Sequence, residues 1–320
     1  MTVGALGPGP EFDRIRAIAR ELGDGAAALD DDCAVLAPIA HAFVLSTDVS
    51  VEGVHFRREW LTLEEIGWRA AAAALSDLAA EGASPVGVLV ALTSPAAASE
   101  ADISEVMRGI GAAVNSVGGR VLGGDLSSGP AWSIAVTVVG TAERPVTRSG
   151  ALPGDSLWVT GTLGAAGAAV DALLANASPR AELRNAFARP EPRIREGRWL
   201  AAHGAHAMID LSDGIAADAA HIAAASGVRV EIAVAQLPRE SDVDPARAAA
   251  GGEDYELLVA MPAGFADAAA AEFTAASGTR ITRVGRIAAG SGVRLDLDGA
   301  ELRVAGYDHF RSVDASPGGR

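Results

Sequence analysis

Aspartates stand where this chain can least easily carry charge. Asp48 follows the apolar run FVLST, Asp125 follows VLGG, and Asp210 follows AMI, with Asp213 three residues on in IDLSDG. Asp77 sits in ALSDLAA, an otherwise apolar helical pattern, and ALDDDCAVL runs Asp30, Asp31 and Asp32 straight into an apolar stretch. Neighbouring carboxylates repel, and they are costly to desolvate at the lip of a buried segment. Singly, each can be a helix cap or turn residue, and Asp213 could cap the helix that follows it. Delivered together from the ends of several elements into one crevice, they form a site for a hard cation that takes oxygen ligands, such as Mg2+. The fold must therefore gather elements that are far apart in sequence.

The hydrophobic pattern supplies such elements. EFDRIRAIAREL (11–22) puts Phe12, Ile15, Ile18, Ala19 and Leu22 on one helical face. Strands are expected at 43–51, 85–92 and 132–140, with helices at 63–81 and 99–117. RSGALPGD (148–155), rich in Gly and Pro, reads as a joint. Beyond it come strand candidates at 156–161, 207–210, 228–234, 255–260 and 281–287, with helical segments between. Strands alternating with helices in both halves predict mixed α/β layers in two domains, residues 1–147 and 148–320.

Composition narrows the function. A formal net charge of −15 opposes nucleic-acid binding, which needs basic patches. It would also repel a phosphate substrate unless divalent cations intervened. The single cysteine, Cys33, excludes an internal disulfide or a CxxC site and reads as a small buried hydrophobe. Apolar content dominated by alanine predicts cores built from closely packed helices. No secretory signal and no membrane span is legible, so a soluble cytoplasmic protein is expected.

Glycine-rich stretches accompany the aspartates. GGD (123–125) and GGED (251–254) are expected to turn the backbone sharply and approach a ligand. VTGTLGAAG (159–167) reads as strand, glycine turn and helix start, either an ordinary tight turn or one offering N–H groups to an anion. There is no GxxxxGK[ST], no protein-kinase motif set and no D-x-[DN]-x-[DN]-G loop. Asp218 and His221 read as a surface pair, and His55 as a core or capping histidine. Ser212 and Arg148 could serve phosphate oxygens or simply the surface.

DDDCAVL, LSTDVSVEGVHF, GWRAAAAALSDLAAEGASP, GGDLSSG, VTRSGALPGD, VTGTLGAAG, MIDLSDGIAADAAHIA, GGEDYELL and GYDHF occur in this order over about 11–310. Together they resemble the thiamine-monophosphate kinase family, of the superfamily that includes aminoimidazole ribonucleotide synthetase and selenophosphate synthetase. The resemblance implies ATP- and Mg2+-dependent phosphorylation of thiamine monophosphate to thiamine diphosphate. It implies an α/β fold: an N-terminal domain, binding Mg2+ and ATP, whose mainly antiparallel sheet pairs with its mate in a dimeric barrel, and a C-terminal α/β domain. By motif position, Asp32, Ser46, Thr47, Asp48, Asp77, Asp125, Asp210 and Asp213 would hold several magnesium ions. Gly124, Asp125, Arg148 and Ser212 would contact ATP, and His55 and Glu253 the thiamine phosphate. Asp48, Asp125 and Asp213 would be the catalytic aspartates.

The chain departs from the family pattern at Asp30, where Gly is usual, at Leu126, where Thr is common, and at Val304, where an aromatic often helps hold the thiamine. Tyr307 is a substitute for that aromatic. Two alternatives stay open: another ATP-dependent enzyme of the superfamily, or a Mg-ATP-binding protein without turnover. The enzymes of the superfamily that use a reactive cysteine are disfavoured, since Cys33 lies inside the acidic motif and the chain ends SPGGR.

Overall fold

The computed structural model describes residues 17–23 and 41–303, and two sheets carry it. The first comprises β1 (Ala42–Val51), β2 (Ser84–Pro95), β3 (Val121–Gly129) and β4 (Ser133–Ala142), in the order β1-β4-β2-β3. Its pairs are antiparallel except β2 with β3. Two helices, α1 (Leu63–Ala80) and α2 (Glu100–Ser116), cover one face. Each begins in a capping box, Thr62 with Glu65 and Ser99 with Asp102, which satisfies backbone N–H groups a helix start leaves orphaned. Of the helix expected at 11–22, residues 17–22 are helical and the rest lies outside the described residues.

Small residues bring α1 and α2 together, as the alanine content implied. A Cβ at Gly67 would overlap the Val106 carbonyl, and one at Gly109 the Glu64 carbonyl, so the helix backbones touch where a side chain would part them. Ala70, Ala71, Ala72 and Ala74 of α1 are buried as well.

The second sheet has the order β11-β10-β7-β9-β5-β8-β6. Its strands are β5 (Ser156–Thr160), β6 (Ala207–Asp210), β7 (Arg229–Ala233), β8 (Leu257–Met261), β9 (Ile281–Ala288), β10 (Gly292–Leu297) and β11 (Ala300–Leu302). Only β7 and β10 run parallel. Its helices are α3 (Ala165–Leu174), α4 (Ala181–Ala188), α5 (Ile194–Ala202), α6 (Ile215–Ser226), α7 (Pro245–Ala250) and α8 (Asp267–Ser277).

Helix α1 joins the two sheets. Arg184 of α4 clamps Glu65 (2.7 Å), Arg189 meets Glu64 (2.5 Å), and the Trp68 indole donates to the Pro190 carbonyl (2.8 Å). Gly197 of α5 lies directly on Ala79, where a Cβ would overlap its carbonyl. Asp77, in the last turns of α1, is thereby held between both halves of the chain.

Two expectations need correction. GGD does not turn: Gly123, Gly124 and Asp125 lie inside β3, and Gly124 is required because a Cβ there would overlap Val90 on the neighbouring strand. Asp48 and Asp125 therefore sit within strands, not at their ends, whereas Asp210 does end β6. The alternation of a strand, not its termination, decides where the first two point.

Candidate active site

Alternation along β1 sorts its residues onto two faces. Phe43, Leu45, Thr47 and Val49 are exposed on the open face, while Ser46 and Asp48 turn toward the helices. There the Ser46 hydroxyl donates to the Asp77 carboxylate on α1. Asp210, at the end of β6, reaches the same place from the second sheet and is buried. Burial, and then the nearby Asp77 charge, pushes Asp48 up to about 6. The same two causes push Asp210 up to about 7. Burial also raises Asp77, against the opposing effects of Ser46 and of the Arg148 guanidinium. Arg148 is placed by its backbone neighbours: the Met208 N–H bonds to Thr147 O (3.1 Å) and the Ser226 hydroxyl to Arg148 O (3.1 Å).

The loop after β6 is laced to the GGED loop. Glu253 N–H donates to Ser212 O (2.8 Å), Tyr255 N–H to Leu211 O (2.9 Å), and Leu211 N–H to Glu256 O (2.8 Å). Glu253 and Tyr255 hold φ of +72° and +51°, conformations that cost a non-glycine residue about 1–3 kcal/mol each and persist only where the surroundings impose them. Arg69 of α1 is one of those surroundings. Its buried guanidinium pairs with Glu253, donates to the Phe187 carbonyl (2.6 Å) and stacks over the Phe187 ring at 4.3 Å.

Asp213 caps nothing with its side chain: Gly214 is the N-cap of α6, and the Asp213 N–H instead donates to the Asp218 carboxylate (3.2 Å). The surface pair expected of Asp218 and His221 is not formed, since Asp218 is buried and His221 exposed. Burial, then Asp210 and Asp213, push Asp218 up to about 8. It lies on the apolar stripe of α6 with Ile215, Ala219 and Ile222, and a carboxylate on a buried stripe is the signal that could have found it. Arg69, at the head of an alanine run on a buried helix, carried the same kind of signal.

The glycine turn after β5 does offer N–H groups to an anion, but the anion is the chain's own. Asp254, of the GGED loop, accepts from Gly164 N–H (2.8 Å) at the start of α3, and burial raises it well above the usual carboxylate range. His55 closes the turn after β1, its Nδ1 accepting from Val51 N–H (3.0 Å).

Asp125 stands apart. In β3 it pairs with Ala91, which pairs with Ala135, which pairs with Val49, so all four share the open face. Asp48 lies on the other face and three strands away, about 14 Å at the usual strand spacing. The Thr47 hydroxyl is on the open face too, 3.0 Å from that of Thr137. Leu126 turns the opposite way and packs on the core. Among the described residues, no three His, Cys, Asp or Glu side chains converge on one point as ready ligands.

Comparison with known proteins places this arrangement. Residues 30–142 match the family model of the AIR synthase related protein, N-terminal domain, and 153–298 that of the C-terminal domain. Thiamine-monophosphate kinase of Salmonella typhimurium is 35% identical over 322 residues, spanning 93% of this chain and 95% of its own. The chain belongs to the thiamine-monophosphate kinase family. The crystal structure of the Stenotrophomonas maltophilia family member superposes with a TM-score of 0.80 at 37% identity, over 90% of this chain and 96% of that one. AaThiL complexed with AMPPCP and TMP gives a TM-score of 0.76 at 32% identity, over 94% and 97%.

Of the residues the family resemblance singles out, the structure gathers Ser46, Asp48, Asp77, Arg148 and Asp210, with Ser212, Asp213 and Glu253 on the two laced loops beside them. It separates Gly124 and Asp125 from that group. Asp32, Val304 and Tyr307, together with Asp30, Asp31 and Cys33, lie outside the described residues. No helix among the described residues is long and apolar enough to cross a membrane.

Proposed function

We propose that this chain transfers the γ-phosphoryl group of ATP to thiamine monophosphate, giving thiamine diphosphate in one direct in-line step that requires Mg2+. The observation that carries the proposal, in a chain of this family, is the burial of Asp48, Asp77 and Asp210 against one another. Like charges so placed disfavour each other's ionisation, and a divalent cation reverses that preference. The donors are carboxylates and the Ser46 hydroxyl, all hard oxygen ligands suited to Mg2+. Mg2+ is commonly held by one or two carboxylates plus water and substrate phosphates, so a site without three converging carboxylates fits an ion shared with a nucleotide.

Ser46, Asp48, Asp77, Asp210 and Asp213, with Asp32, would hold the metal ions, and Thr47, expected among them, would not, because its hydroxyl lies on the open face. Bound Mg2+ would neutralise the facing phosphates and the charge of the transition state. Arg148 and Ser212 would contact ATP, His55 and Glu253 the acceptor phosphate, and Val304 and Tyr307 the thiamine end. A phosphate monoester loses its second proton near pH ~6, so the acceptor arrives as a nucleophilic oxyanion and the chain needs no strong base. The work left to the residues is to bind and align two anions. Asp48 and Asp213 are assigned as catalytic with Asp125. AaThiL complexed with AMPPCP and TMP supports a site that admits nucleotide and acceptor together.

Asp125 and Gly124 fit this reading only if a second copy supplies them. The open face of the first sheet exposes Phe43 (53%), Leu45 (64%), Val49 and Leu89, an apolar surface suited to pairing with itself. We therefore assign a homodimer through this face, with residues 1–147 as the pairing domain, 148–320 as the second domain, and the cytoplasm as its compartment.

The test is a product assay with ATP, MgCl2 and thiamine monophosphate, the diphosphate being resolved after oxidation to its fluorescent thiochrome. Product that appears with magnesium and disappears with EDTA is the expected result. Mg-ATP binding without product would overturn the choice of acceptor.

A further inference from the structure

A cavity of about 470 Å³ opens at the rim of the second sheet, beyond the end of β5 and beside the start of β9. Its lining includes Thr162, Arg193, Arg239, Glu256, Arg280 and Thr282. Three arginines against one carboxylate is an unusual balance in a chain with 41 acidic and 26 basic residues. The pairings sharpen it. Arg193 is spent on Glu256, which it grips through Nε (2.8 Å) and NH2 (2.6 Å), and on Glu191 (2.9 Å). Glu256 also accepts from the Thr160 hydroxyl (2.6 Å), so the one carboxylate is fully engaged.

Arg239 and Arg280 are different. Arg239 donates only to main-chain carbonyls, Val243 O (3.0 Å) and Leu237 O (3.4 Å), which fix its plane without cancelling its charge. The Arg280 carbonyl accepts from Gly161 N–H (2.8 Å), but its guanidinium makes no hydrogen bond or ion pair among the described residues. The acids of the adjacent loop do not reach them, because Arg180 holds Glu240 (3.5 Å) and Asp242 (2.7 Å). The buried Thr282 hydroxyl has no partner. The cavity thus presents two uncompensated guanidinium groups, one of them held in orientation, and a hydroxyl without a bond. Guanidinium forks matched to oxyanions, with a hydroxyl donor, are the recognition chemistry of a phosphate group.

The cavity is separate from the aspartate cluster. Asp210 pairs with Leu257, and Val159 with Leu258, so Asp210 and Thr160 stand at the same end of the sheet on strands two places apart, about 10 Å at the usual spacing. The cavity extends from β5 toward β9, away from β6.

We propose that this cavity is a binding site for a phosphate-bearing dianion, independent of Mg2+ and of the aspartate cluster. The ligand is inorganic phosphate, pyrophosphate or the phosphate of a small monoester, which share the chemistry the two arginines recognise. The proposal does not rest on the phosphotransfer reading.

The test is calorimetric titration of the full-length protein with inorganic pyrophosphate, and separately with inorganic phosphate, in EDTA at constant ionic strength. Without magnesium the aspartate cluster repels both probes. Saturable binding of one ion per chain by either probe is expected, and the stronger of the two identifies the preferred source. Arg280→Glu, a change at an exposed side chain that leaves the fold intact by circular dichroism, should weaken binding by roughly tenfold or more. The Arg239→Ala, Arg280→Ala double variant should abolish it, and Asp210→Asn should leave it unchanged. Absence of saturable binding by both probes, equal affinity in Arg280→Glu, or loss of binding in Asp210→Asn would each overturn the assignment.

Discussion

The two faces of the four-stranded sheet carry the same residue types to opposite ends. On the covered face, Ser46 and Asp48 meet Asp77 beneath two helices, and the carboxylates are half-buried, crowded and reluctant to ionise. On the open face one residue along the same strand, Thr47 bonds to Thr137, and Asp125 stands exposed among apolar side chains with Ser127 donating to it (3.1 Å). A strand that reads STDVS therefore addresses two sites, and the pleat alone decides which residue serves which. On the proposed reading the covered face would hold metal within one chain, and the open face would become a site only when another copy faces it.

The largest effect expected is on the covered face. Asp48→Asn or Asp210→Asn should lower turnover by about 10³-fold, measured as thiamine diphosphate formed, because each removes a carboxylate that would hold the Mg2+ neutralising the phosphates. Asp210→Asn should also stabilise the protein in EDTA. A carboxyl with a raised ionisation keeps a proton in the folded state that the unfolded chain has released, so stability falls as pH climbs from 3.8 toward about 7. The variant escapes that loss. Its advantage in melting temperature should grow across this window, level off above it, and reach a few degrees, on the order of 1 kcal/mol. An advantage of the same size at pH 5 and at pH 8 would remove the case for crowded charge.

On the open face, Leu45→Asp should split the dimer, read by light scattering, and remove activity with it, while the thermal unfolding of each chain stays cooperative. A variant that remains dimeric, or a monomer with full turnover, would contradict the pairing surface. A smaller change is expected from Arg69→Met, which frees Glu253 from its guanidinium: KM for thiamine monophosphate should rise about tenfold with kcat changed less. The smallest is Thr47→Val, within about twofold of wild type, whereas Ser46→Ala should cost on the order of 10²-fold. Comparable losses in these two variants would mean that the pleat does not sort them.

Much of this was legible in the amino-acid order. The helix expected at 63–81 and the strands flanking it follow from the apolar pattern, and Asp77 and Asp210 were found because a charge interrupts an apolar pattern. What escaped reading depends on contacts that only the fold makes. GGD reads as a turn because glycines favour turns, yet Gly124 is there to let β3 lie against Val90. The turn at the start of α3 reads either as an ordinary tight turn or as N–H groups for an anion, and Asp254, some 90 residues away, takes one of them. By contrast β10 and β11 could have been foreseen: Asp298-Gly299 is a two-residue hairpin turn, with φ of +54° and +87°, set between alternating residues. The separation of Asp125 from Asp48 is the most consequential of the unread features. Both follow apolar residues, and face is a matter of pleat and strand order together.

That separation can be tested directly by co-expressing two variants that are each inactive alone, Asp48→Asn and Asp125→Asn, and assaying the whole purified population of dimers, mixed and unmixed together. If Asp125 serves the cluster of the facing copy, half of the dimers are mixed and one of their two sites is intact, so activity should return to roughly a quarter of wild type. If each chain completes its own site, every site in the mixture carries one defect and activity stays at the level of the separate variants. That second result would contradict the account given of the two faces.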